Sequence, residues 1–132
     1  MTKIDLQKEA AKAMEKAYSP YSRFKVGAAI LTEAGNIYAG CNVENISFGL
    51  TICAERNAIV QAVAAEGPGM KLKEVVVTNH NEAGISGACS PCGACRQFMI
   101  EFSNKDTKVT YPGENGDIVT TADNLLPDSF RF

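Results

Sequence analysis

The segment LKEVVVTN, residues 72–79, is short, apolar and β-branched, the composition of a strand in the middle of a sheet. Helices flank it. On its amino side, Cys53 to Glu66 are strong helix formers with Ala58, Ile59 and Ala62 on one side, and GPG at 67–69 closes the run. On its carboxyl side, SPCGACRQFMIEF (90–102) offers Ser90 as a cap, Pro91 for the first helical position, and Cys95, Phe98, Met99 and Phe102 on a shared face.

Further out, FKVGAAILTEAGNIYAGCNVEN (24–45) reads as a β-hairpin turning at Ala34, Gly35 and Asn36, with Val26, Ala28 and Ile30 alternating onto one face. Residues 4–17 place Leu6, Ala10, Ala13, Met14 and Ala17 at helical spacing, and SPYS then stops that helix. At the other end, a strand near 107–112, the turn PGENGD and a strand near 118–121 complete the sheet. Helices between the middle strands require crossover connections, and the outer pieces are antiparallel. The expected fold is α/β, a three-layer α/β/α arrangement around a mixed five-stranded sheet. One domain, spanning 1–132, accounts for the whole chain.

Composition narrows the function. The chain has no run of roughly 18 apolar residues, and MTKIDLQKEAAKAM is charged throughout, so neither membrane insertion nor export is expected. Five cysteines are an odd number without a secretory leader, which favours reduced thiols in a cytoplasm over a disulfide framework. The net charge is −2 and the 13 Lys and Arg are dispersed, so the basic face that a nucleic-acid partner needs is missing.

The cysteines carry the chemistry. CSPCGAC (89–95) holds three of them. Cys92 and Cys95 at a helix start direct both sulfurs one way, about a turn apart, whereas Cys89 precedes the expected cap and leaves in another direction. Upstream, TICAERNA puts Cys53 and Glu55 two apart at the start of another helix, where a longer glutamate can reach the same centre as the cysteine. Each helix amino end presents partial positive charge, which lowers a thiol pKa and favours the ligating thiolate.

Three sulfurs select zinc or an iron–sulfur cluster over magnesium or calcium. Zinc with three protein ligands keeps its fourth position open for an activated water, the mark of a catalytic site. Such a centre carries net negative charge, which Arg56 and Arg96 could offset. Two other arrangements use all of Cys53, Cys89, Cys92 and Cys95: a closed structural zinc site and an electron-transfer cluster. Singly, each residue has a plain explanation: Cys53 a buried small side chain, Glu55 a first-turn acid, Asn42 and Glu44 a solvated strand edge, Phe24 a core aromatic, and His80 a loop residue.

The pairing of C-A-E at 53–55 with P-C-G-A-C-R-Q at 91–97 resembles the cytidine deaminase family in its short form with three cysteine ligands. Cys53 stands where the related signature His-x-Glu followed by P-C-x-x-C has histidine. YSPYSRFKVGAAI, GCNVEN and LLPDSF are similar to the family as well, in order along nearly the whole chain. The resemblance implies one Zn²⁺ held by Cys53, Cys92 and Cys95, with Glu55 as catalytic proton shuttle. It implies a nucleoside substrate, with Asn42 and Glu44 on the sugar hydroxyls, Phe24 against the nucleoside and the Ala54 backbone at the base. It also implies a homotetramer in which Phe130 of a neighbouring chain completes each pocket. The activity it points to is hydrolytic deamination of cytidine and 2'-deoxycytidine in pyrimidine salvage, or of another nucleoside or nucleoside antibiotic. Cys89 is the departure from the pattern.

Overall fold

The computed structural model describes residues 3–131. Residues 1, 2 and 132, the ends of the expected domain, lie outside it. Five strands form one sheet in the order β2-β1-β3-β4-β5: β1 (Lys25–Thr32), β2 (Ile37–Cys41), β3 (Leu72–His80), β4 (Ser103–Gly113) and β5 (Gly116–Thr121). β3 and β4 are parallel and the other neighbours antiparallel, which is the mixed sheet expected. LKEVVVTN is its middle strand, with Val75, Val76 and Val77 buried.

Helices cover both faces. Leu6 and Ala10 of α1 (Lys3–Met14) meet Ala29, Leu31 and Val76 on one side. On the other side α2 (Ala54–Glu66), α3 (Gly93–Phe102) and the short α4 (Ala122–Leu125) share a core with Ala28, Ile30, Val75, Val77 and Val109. Adjacent strand residues thus serve opposite layers, the period-two alternation of a strand covered twice. Two glycines let the helices sit this close. A Cβ on Gly27 would lie 2.0 Å from the Ala10 carbonyl oxygen of α1, and one on Gly40 would lie 2.6 Å from the Ala58 nitrogen of α2.

β2 is an outer strand, and α2 occupies part of its free edge. Asn57 Nδ2 donates to the Cys41 carbonyl at 2.7 Å and Gln61 Nε2 to the Ala39 carbonyl at 2.8 Å.

Several boundaries differ from the sequence reading. The first helix stops at Met14 rather than 17, because the chain is drawn into a bridge: Tyr18 N–H donates to the Asn42 carbonyl and Glu44 N–H to the Tyr18 carbonyl. β4 begins at Ser103, directly after α3, but its regular register starts only near Lys108. The irregular part is held by Thr107, whose hydroxyl donates to the Leu72 carbonyl and accepts from Asn104 N–H. α3 starts later than expected: Cys92 is its cap, and Ser90 and Pro91 precede it. Phe98 faces outward, leaving Cys95, Met99 and Ile100 as the buried residues of that helix.

Candidate active site

Cys53 and Cys92 occupy the same place on two helices. Each is the N-cap in extended backbone, with φ/ψ of −73/156 and −68/166, and each carbonyl accepts the first helical hydrogen bond, from Asn57 and Arg96. Neither side chain caps its own helix. The sulfurs turn toward each other instead, 3.6 Å apart, and Cys95 in the first turn of α3 brings its own to 3.4 Å from that of Cys92.

Zn–S bonds of about 2.3 Å in a tetrahedron require S···S separations of about 3.8 Å. The spacing and the soft donors therefore fit zinc. Among the described residues the converging set is Cys53, Cys92 and Cys95, with all donor atoms within 4.8 Å of one another. Cys89 is not in it; its N–H donates to the Pro112 carbonyl, and burial pushes its thiol pKa up. This geometry favours the open three-sulfur centre over the closed four-cysteine one.

The pKa values of Cys53 and Cys95 are shifted in opposite directions. A hydrogen bond from Cys95 lowers the pKa of Cys53 despite opposition from burial, and Arg56 assists; Cys95 is correspondingly raised. Arg56 brings Nη2 to 3.5 Å from the Cys53 sulfur, and its own pKa rises in return. Arg96 is used differently, donating to the carbonyls of Pro91 and Leu125 at 2.8 Å each and so tying α3 to α4.

Glu55 follows in the first turn of α2, only 4% exposed. Burial pushes its carboxyl up to about 7, partly opposed by its own backbone amide, while the Cys53 thiolate adds repulsion. A carboxyl held there can both take and give a proton near neutral pH. It lies outside the metal-ligating set.

Of the residues expected at the sugar, Glu44 lines a cavity of about 330 Å³ together with Tyr21, Ser22, Phe48 and Thr51, and Asn42 does not. Asn42 is 8% exposed and pins β1, accepting from Val26 N–H and donating to the Phe24 carbonyl, both at 2.9 Å. Glu44 accepts from the backbone N–H groups of Tyr21 and Ser22 at 3.0 and 3.1 Å and from the Ser22 hydroxyl. Burial raises its pKa, but the bonds from Ser22 and Tyr21 outweigh that and leave it below the usual carboxylate range.

Phe24 is half-buried outside both core clusters, Ala54 is fully buried at the first position of α2, and Phe130 is 73% exposed. A larger cavity of about 900 Å³ lies between α1, β2 and α2 and contains none of these residues. His80 is not a free loop residue: it ends β3 with Nε2 2.9 Å from a Glu15 carboxylate oxygen, which raises its pKa. Tyr21, Ser22, Phe48 and Thr51 have no role assigned in the sequence, where SPYS reads as a helix stop within the family-like stretch YSPYSRFKVGAAI.

Known proteins place this arrangement. Residues 2–111 match the model of the cytidine and deoxycytidylate deaminase zinc-binding region. Cytidine deaminase from Sporosarcina psychrophila is 46% identical over 131 residues, covering 96% of this chain and 92% of the relative. That from Halalkalibacterium halodurans is 47% identical over 126 residues, covering 95% and 91%. The crystal structure of cytidine deaminase from Burkholderia pseudomallei superposes with a TM-score of 0.84 at 45% identity, covering 98% of this chain and 100% of that one. With the family model matched over most of the chain, relatives 46% and 47% identical over more than nine-tenths of each chain, and a superposing fold, this chain belongs to the cytidine deaminase family.

Proposed function

We propose that the chain is a single catalytic domain that hydrolytically deaminates cytidine and 2'-deoxycytidine to the uridine nucleosides, releasing ammonia. The observation that carries this reading is the buried Glu55 carboxyl beside, but outside, a set of three converging sulfurs.

Cys53, Cys92 and Cys95 would hold zinc, whose Lewis acidity lowers the pKa of the attacking water. Every proton then passes through Glu55. Its carboxylate takes one from the water and delivers it to the ring nitrogen beside the amino-bearing carbon, which makes that carbon electrophilic. Once the water oxygen has bonded to that carbon, Glu55 takes the remaining hydroxyl proton and hands it to the amine, which departs as ammonia while the carbonyl forms. Arg56 offsets the excess negative charge of three thiolates.

The sugar is read by what Asn42 and Glu44 have left over. After their internal bonds, Asn42 retains one N–H and Glu44 one acceptor position. A single hydroxyl satisfies both by accepting from one and donating to the other. Phe24 would pack against the nucleoside, and the Ala54 backbone, whose N–H has no intrahelical acceptor at a helix start, would meet the base.

A homotetramer with shared pockets fits the surface. Tyr18, Val43 and Ile52 are joined by bridges and exposed, and Ile46, Phe48 and Leu50 are exposed in the intervening segment. Such a patch marks an association site. Because Phe48 also lines the small cavity, a second copy lying on this segment would close that cavity. Phe130 would be donated across the boundary. A cytoplasmic location accords with reduced cysteines, and among the described residues no helix is long and apolar enough to cross a membrane.

Zinc-loaded protein incubated with cytidine or deoxycytidine should release ammonia and shift the ultraviolet spectrum to that of the uridine product. No ammonia from either nucleoside would remove the assignment. Sedimentation of the same preparation should give four times the 14.1 kDa chain mass. A monomer would remove the shared-pocket arrangement.

A further inference from the structure

We infer that Ser22 is a positioning residue for substrate, holding the Glu44 carboxylate in the one orientation that leaves a single acceptor for a sugar hydroxyl. The inference rests on the sugar-binding reading of Glu44 given above.

The segment around Ser22 is built around that carboxylate. Arg23 has φ 57, in the left-handed region that a side-chain-bearing residue rarely adopts. Its N–H donates to the Ser19 carbonyl at 2.9 Å, and its guanidinium reaches Glu82 at 2.8 Å. The tight turn so formed points the consecutive N–H groups of Tyr21 and Ser22 at one oxygen of Glu44. Successive amides next to a left-handed residue form an anion-binding concavity, and here the anion is the protein's own carboxylate.

Those amides fix only Oε1. The other oxygen, Oε2, is held by the Ser22 hydroxyl, which in turn accepts from Phe24 N–H at 3.1 Å. A carboxylate cannot donate, so the Ser22 proton lies toward Glu44 while an Oγ lone pair takes Phe24 N–H, and the hydroxyl is oriented from both sides. Phe24 is also the residue whose carbonyl accepts from Asn42. One short segment therefore registers both side chains assigned to the sugar. Without the hydroxyl, Oε2 would keep two acceptor positions and the carboxylate could swing about Oε1. A substrate hydroxyl would then meet a less defined partner. The contact is made to the sugar and not to the reacting ring, so the effect belongs to substrate affinity rather than to the chemical step.

The test compares wild type, Ser22→Ala and Ser22→Thr on cytidine and on 2',3'-dideoxycytidine, which lacks the secondary hydroxyls. A lost hydrogen bond to a charged group corresponds to roughly tenfold or more in affinity. Ser22→Ala should therefore raise KM for cytidine at least tenfold, with kcat within about twofold of wild type. Ser22→Thr, which keeps the hydroxyl, should restore KM. On dideoxycytidine, Ser22→Ala and wild type should have the same KM. An unchanged cytidine KM in Ser22→Ala overturns the inference. So does an equal loss on both nucleosides, or a loss with lowered melting temperature that threonine does not rescue, since each indicates a general structural role. If wild type itself discriminates between the two nucleosides but the variants do not differ, the sugar reading stands and only Ser22 falls. If wild type deaminates neither nucleoside, the functional assignment fails first.

Discussion

Glu55→Ala should lower kcat by roughly 10² to 10⁴-fold, the contribution of a positioned acid–base group, while zinc stoichiometry and fold are kept. The expectation follows from position. The carboxyl is buried at the start of α2, next to the sulfurs yet outside their set, so removing it takes away the proton carrier without taking away a metal ligand. Glu55→Gln should be similarly impaired, because an amide can hydrogen-bond in the same place but cannot accept a proton and return it. Turnover of either variant near the wild-type rate would exclude Glu55 as the shuttle.

The same residue should carry a cost in stability. Its folded pKa is raised to about 7 from 4.5, so between those values the folded state binds more protons than the unfolded state. Stability contributed by this group consequently falls as pH rises through that window, and the cost is complete above about 7. In metal-stripped protein at pH 8, Glu55→Ala should melt no lower than wild type. A clear drop in melting temperature would show that the carboxyl contributes to stability instead, contrary to its burial.

Stripping the metal with a chelator should abolish turnover, and restoring one equivalent of zinc should return it. Loading should also release protons. Cys95 is held protonated in the bare protein because its pKa is raised by the hydrogen bond to Cys53 and by burial, and a thiol must lose its proton to become a ligand. Its proton must therefore leave, so affinity for zinc rises with pH and is lost toward acid. Calorimetric titrations in two buffers of different ionisation enthalpy would count the protons, with at least one per zinc expected. Uptake with none released, or full activity in the chelated enzyme, would show that these thiols are not the ligands.

Much of this was legible in the sequence, for identifiable reasons. The run of valines at 75–77 is too apolar for any place but the middle of a sheet, and the helices on either side of it had to cross over. The cysteine positions were legible because two helix starts repeat one requirement, a thiol at or near the amino end. What stayed hidden was local geometry that depends on distant partners. Nothing near Ser90 and Pro91 indicates that the helix waits for Cys92, because the extended backbone at that cysteine turns its sulfur toward Cys53, 39 positions away in the chain. Arg96, like Arg56, lies close in sequence to a cysteine of the converging set, yet the carbonyls of Pro91 and Leu125 claim it. Ser22 looked like part of a helix stop because Glu44, which explains it, lies across the fold.

The amide side chains of Asn57 and Gln61 have a wider effect. By occupying acceptors along the rim of the outermost strand, they deny an incoming chain the ladder it would need to extend the sheet there. Any contact between copies along that rim would then have to use side-chain packing, because open-ended fibre growth by strand addition is denied there.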